Sequence, residues 1–219
     1  MTLEDALVSV VKYLFLAIAA LFPMLNPFGA IPLLLSLTSD MSDAERRQQA
    51  VRASWYSAII MTTCLFIGDG VLWFFGISIG ALRVAGGLVV AYLGFGMLFP
   101  TAKGTAAVPE VCKRRDYSFI PLALPTLSGA GTIALIISFS THIATLQATH
   151  EKIAGYVITL LAIAAVSFLT AVILKASVRI NRSLGAQGIE AMSRIVGLLM
   201  ICIGVQFVAG GIRLLVQTA

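Results

Sequence analysis

Six apolar stretches, near 7–37, 53–75, 78–99, 118–140, 153–175 and 189–214, take up most of this 219-residue chain. About 20 apolar residues in a helix cross the roughly 30 Å hydrocarbon core of a bilayer. Inside lipid every backbone N–H and C=O must find its partner within the protein, so stretches of this length fold as helices. Only 11% of the residues are charged and 59% are hydrophobic, whereas a soluble domain carries about 25% charged residues. That is too little charge to cover a soluble surface. The reading is an all-α membrane protein with six transmembrane helices and the lipid bilayer as its surroundings. Disordered, disulfide-stapled and nucleic-acid-binding classes are excluded.

The net charge of +5 describes topology. Arg46, Arg47 and Arg52 lie in the first polar break, Lys103, Lys113, Arg114 and Arg115 in the third, and Lys175, Arg179 and Arg182 in the fifth. Together these are ten of the fifteen basic residues. Lys and Arg collect in cytoplasmic loops. The expected arrangement is a multi-pass protein of the inner (plasma) membrane with both termini outside the cytoplasm. The acidic start MTLEDALVSVVKY reads as the beginning of a span and not as a removed signal. Cys64, Cys112 and Cys202 have no metal or disulfide spacing and are read as free thiols. No metal or cofactor is expected.

The first stretch is too long for a plain span. Residues 7–37 would make a helix of about 46 Å. Its middle, FPMLNPFGAIP, holds Pro23, Pro27, Gly29 and Pro32, and the fourth stretch, FIPLALPTLSGAGTIAL, holds Pro121, Pro125, Gly129 and Gly131. Proline removes a donor and clashes with the preceding turn, so helices 1 and 4 should break at the midplane.

The two broken helices stand three spans apart. At an offset of 100, NPFGA (26–30) falls on TLSGA (126–130), and at an offset of 111 Arg83-Val-Ala-Gly86 falls on Arg194-Ile-Val-Gly197. Three is odd, so the second copy enters from the opposite face. The expectation is two inverted three-helix repeats, residues 1–112 and 113–219, an architecture common among secondary transporters.

Where a helix restarts after a break, its first amides are free and its dipole is positive. Restarts are predicted near Phe28–Ile31 and near Ser128–Thr132, with Thr126 or Ser128 as cap. Facing each other from opposite sides, they would cradle a small anionic group such as a carboxylate. The candidate binding residues are Asn26, Pro27, Phe28 and Gly29 with Thr126, Leu127, Ser128 and Gly129.

Ionisable groups within spans are functional candidates. Asp69 and Arg83 both lie a few residues from the same membrane face, so they are expected to pair, with proton or cation relay as the alternative role for Asp69. Arg194 is expected to pair with Glu190, one turn earlier on its own helix. The span-three glycines 86, 87, 94 and 96 and the span-six glycines 197, 204, 210 and 211 read as close helix contacts.

An intramembrane serine protease would need a general base near Ser128, and no span offers one. A thiol–disulfide carrier would need cysteines in spans one and four, which have none. A channel would need rings of charge or carbonyls, for which inverted broken helices are the poorer match. A transporter of small zwitterions or anions remains, with a LysE-like exporter of amino acids or other small metabolites as the runner-up. No enzymatic activity is expected.

The runs LFPMLNPFGAIPLLLSLT (21–38), LPTLSGAGTIA (124–134) and SRIVGLLMICIGVQFVAGGI (193–212) resemble the MarC family (UPF0056) of bacterial and archaeal membrane proteins. The resemblance covers essentially the whole chain, and NPxGxxP at 26–32 is its most specific part. This chain departs from the family in carrying SGAG at 128–131 where related proteins often have GPG. The family includes the archaeal neutral amino acid transporter SnatA. The resemblance therefore implies a small neutral amino acid such as glycine or alanine as substrate, bound at Asn26–Gly29 and Thr126–Gly129, with protons as a coupling ion to be tested.

Overall fold

A computed structural model describes residues 3–99 and 116–218. Among the described residues there are helices and no strands. Helix α1 (Leu3–Leu25) is followed at once by α2 (Pro27–Leu37), then α3 (Asp43–Phe74) and α4 (Ile79–Leu98). A wide-turned segment, Ser118–Leu127, leads into α5 (Ala130–Thr145), and α6 (Thr149–Lys175) and α7 (Ser177–Thr218) complete the chain. Among the described residues five helices are long and apolar enough to cross a membrane, and six spans result if the bent pair Ser118–Leu127 and Ala130–Thr145 is one span. Large apolar side chains point outward, Trp73, Phe74 and Phe168 among them. Such exposure suits contact with lipid.

Helix ends follow local chemistry. Ser42 and Glu45 form a capping box, with each side chain accepting from the other's backbone amide, so α3 begins ten residues before the expected span at 53. Gly76, at φ 64°, closes α3 while the Ile77 amide reaches back to the Leu72 carbonyl at 2.9 Å, a terminus that favours glycine. The polar break expected between spans five and six is itself helical, and a kink at Gly185 separates it from the long part of α7. The expected boundary between residues 112 and 113, Cys112 and the basic cluster Lys103, Lys113, Arg114 and Arg115 lie outside the described residues.

Helices α4 and α7 run antiparallel along a glycine seam. Gly80 meets Gly211, Gly87 meets Gly204 and Gly94 meets Gly197. Each pair is one heptad from the next on both helices, so the register is constant. A Cβ on Gly87 would lie 2.6 Å from the Gly204 carbonyl oxygen, and one on Gly204 would lie 2.6 Å from that of Gly87. Gly86 belongs to a different contact, against Ala134 of α5, and Gly96 and Gly210 have nothing within 4 Å. The expected packing role holds for Gly86, Gly87, Gly94, Gly197, Gly204 and Gly211 and not for Gly96 or Gly210. With α3 packed on α6 and α4 on α7, the arrangement is compatible with two inverted repeats.

The buried side chains form two separate apolar clusters. One contains Leu21, Leu25, Met61, Leu65, Leu135, Ile163 and Met200. The other contains Ile31, Leu34, Ala53, Leu122, Leu127, Leu174 and Ile189. Along α1–α2, α3, the second broken segment and α6 the change from one to the other comes at a polar residue. On α1–α2 it is Asn26, on α3 Ser57, and between Leu127 and Leu135 it is Ser128 and Thr132. On α6, Ser167 and Thr170 stand between Val166 of the first cluster and Leu174 of the second.

Candidate site at the two helix breaks

The first break is one residue wide. Asn26 is left-handed (φ 46°, ψ 58°), a conformation that asparagine tolerates better than most residues. Its Oδ1 accepts from the Gly29 amide at 3.1 Å, capping α2, and Pro27 follows at the first helical position, where no internal donor is needed. The Asn26 side-chain Nδ2 donates to Met97 Sδ at 3.2 Å, tying the break to α4. Pro27 is buried, while Phe28 and Gly29 are half-buried. A Cβ on Gly29 would run into the Asn26 side chain.

The second break is larger, with α5 turned by 67° from the segment before it. Ile120 and Leu124 are extended there, each preceding a proline, as steric clash with the proline ring requires. The Ser128 amide reaches the Ala123 carbonyl at 2.8 Å. The expected caps are employed elsewhere. Thr126 Oγ1 donates to the Pro121 carbonyl at 2.8 Å, and the Ser128 hydroxyl pairs with that of Ser57 at 2.7 Å. The N-cap of α5 is Gly129, and no side chain caps it. Ser128 is engaged with α3, and no side-chain oxygen accepts from the first amides of α5.

One hydroxyl joins the two breaks. Thr132 Oγ1, in the first turn of α5, lies 3.2 Å from the carbonyl of Met24 and 3.2 Å from that of Leu127. Each carbonyl stands at the end of a helical segment, where it lacks an intrahelical donor. Leu127, Ser128 and Thr132 are all but inaccessible. Proximity of the two breaks is thus a feature of the fold, while Asn26, Phe28, Gly29, Thr126 and Gly129 around it are partly exposed.

The layer at this depth is polar and uncharged. Sequence reasoning passed over Ser57 and Thr132 as site residues, as well as Ser167 and Thr170, whose buried hydroxyls have no hydrogen-bond partner. Ser57 lies on the buried stripe of α3 that runs through Ala53, Met61 and Leu65. At an offset of 110 it falls on Ser167. A serine within an otherwise apolar stripe was the available signal.

The expected Asp69–Arg83 pair does not form. Arg83 Nε donates instead to Ser138 Oγ of α5 at 2.9 Å, and Asp69 is in no ion pair among the described residues. The reason is that α5 packs against both α3 and α4. Gly68 of α3 receives Ile137 and Gly86 of α4 receives Ala134, which leaves Asp69 on the exposed face of α3. The Arg194–Glu190 pair forms as expected, at 2.6 Å.

Residues 11–216 match the family described as MarC family integral membrane protein. The chain belongs to the MarC family. Among its relatives are the UPF0056 inner membrane proteins MarC of Escherichia coli strain K12 and strain UTI89. Each is 39% identical over 219 aligned residues, covering 94% of this chain and 97% of the relative. No solved structure matches this member of the MarC family.

Proposed function

We propose that this MarC-family chain is an inner-membrane transporter of small solutes, with a substrate site between the two helix breaks. The observation that carries the reading is the Thr132 hydroxyl, buried and directed at the free carbonyls of both breaks. Around it lies a neutral polar layer between two apolar clusters.

A small neutral amino acid fits this chemistry. Its carboxylate suits the uncapped start of α5, where amides and dipole favour an anion. Its ammonium suits carbonyls and hydroxyls that lack full partners, those of Ser167 and Thr170 included. Crowding at Gly29 and Gly131, where even a Cβ would meet Asn26 or Val90, favours substrates as small as glycine or alanine. Transport by alternating access involves no chemical step, so the chain acts as a carrier and not as an enzyme. Proton coupling draws little support from Asp69, which is exposed and stands about 18 Å along α3 from Ser57.

The test is uptake of labelled glycine, alanine and leucine by the purified chain in liposomes, with and without a proton gradient. Saturable uptake of the two small substrates is expected, lost in Asn26→Leu and Gly129→Leu variants whose circular dichroism is unchanged. Absence of uptake, or equal uptake of leucine, would remove the substrate assignment.

A further inference from the structure

Five basic side chains, Arg46, Arg47, Lys175, Arg179 and Arg182, line a cleft of about 570 Å³ with Asp43 as the one carboxylate. Arg46 is fully engaged: it bonds the Thr38 hydroxyl and carbonyl and the Asp43 carboxylate. The other four make no ion pair among the described residues, and all four are exposed. They converge from the start of α3, the end of α6 and the start of α7.

A second cavity, about 640 Å³, is lined by residues of α3 from Val51 to Thr63 and of α6 from Leu160 to Ala171. Its walls include Trp55 and Phe168, both largely exposed. The two cavities abut in a trough between α3 and α6: on α3 Val51 of the second follows Arg47 of the first by about one turn, and on α6 Ala171 of the second directly precedes Val172 of the first. The apolar part follows the basic part after a single turn. Its length on α3 is about 18 Å, against about 15 Å for half of the hydrocarbon core.

We propose that this trough binds an anionic phospholipid, its phosphate on Arg47, Lys175, Arg179 and Arg182 and one acyl chain between α3 and α6. Basic pockets between membrane helices attract anionic head groups, and the adjoining apolar groove matches a single chain in both length and polarity. A free anion would use the cleft and leave the groove unexplained. This site lies apart from Asn26 and Thr132, although Ser167 lines its groove as well, and its test does not depend on the transport reading.

Trp55 reports on the groove directly. The chain has two tryptophans, so a Trp73→Phe variant, altered at a highly exposed position, leaves Trp55 alone. Quenching is measured in phosphatidylcholine vesicles containing traces of lipid brominated in the acyl chain. Brominated phosphatidylglycerol should occupy the groove with an apparent affinity about fivefold or more above brominated phosphatidylcholine. Arg47→Gln with Arg179→Gln should abolish the preference, while Arg47→Lys with Arg179→Lys keeps it. Ala164→Phe, which fills the exposed floor of the groove, should reduce quenching by both lipids. Equal quenching by the two lipids, or a preference that survives the glutamine pair, would overturn the proposal. So would loss of the preference on adding inorganic phosphate, which would assign the cleft to a free anion. Protection of Trp55 from both lipids would assign the groove to another occupant, such as a second copy.

Discussion

Ser57 and Ser128, 71 positions apart in the chain, bring their hydroxyls to 2.7 Å in a fully buried contact that fastens α3 to the second helix break. Removing Ser128 leaves the Ser57 hydroxyl without this partner, whereas the Ser128 hydroxyl also approaches the Ser57 carbonyl at 3.5 Å. A buried hydroxyl left without a partner costs about 1–3 kcal/mol, whereas replacing both ends of a pair is often close to neutral. Ser128→Ala alone should therefore lower the unfolding temperature in detergent more than Ser57→Ala with Ser128→Ala does.

The glycine seam separates glycines that matter from glycines that do not. Gly204→Ala should destabilise by about 1–3 kcal/mol, because the new methyl meets the Gly87 carbonyl at 2.6 Å. Gly96→Ala meets nothing within 4 Å and should stabilise by about 0.4–1 kcal/mol through reduced freedom of the unfolded chain. Thermal unfolding of the two variants beside the parent checks both signs at once.

Asn26 supplies both a left-handed backbone and a cap. Asn26→Gly should retain the backbone and lose the cap, costing only a few tenths of a kcal/mol, as glycine is itself a tolerated cap. Asn26→Leu loses both and should cost more than about 1 kcal/mol. Parallel melting curves read the order, and equal losses would mean that the left-handed turn is not required.

Asp116 lies just before the fourth span. Burial pushes its carboxyl up, but hydrogen bonds from the Ser118 hydroxyl and amide and the nearby Arg52 guanidinium outweigh this and hold it below the ordinary 3.8. Arg52 NH1 is 3.0 Å from the carboxylate. A depressed folded-state value means stability that is present above about pH 3.8 and lost as the pH falls through the lower folded-state value. The parent should lose unfolding temperature more steeply than Asp116→Asn between about pH 5 and 3. Identical slopes would show that the contact carries no linkage.

Much of this was legible in the sequence because it depends on local spacing. The breaks fall where Pro27 and Pro125 put them, since a missing donor acts within its own turn. The Arg194–Glu190 pair needs only helix periodicity. What stayed hidden depends on how helices are rotated and which ones are neighbours. Asp69 and Arg83 were matched by depth, and depth says nothing about α5 standing between them. Ser128 was read as a cap because α3 was not in view, and Ser57 is a site residue only by virtue of that contact. The early start of α3 was missed since charged residues weigh against a span but not against a helix running on into water.

The seam between α4 and α7 has a mechanical meaning. Backbones that touch at every second turn can neither roll nor slide without driving a carbonyl into the opposite chain. These two helices form a stiff keel shared by both halves of the molecule. The segments broken at Asn26 and at Ser128–Gly129 are held near one another by the shared hydroxyl of Thr132, and α5 is fastened in turn to α3 at Gly68 and to α4 at Gly86. Rotation or sliding of α4 against α7 is therefore blocked by their own backbones, which ties the third span to the last along its whole length.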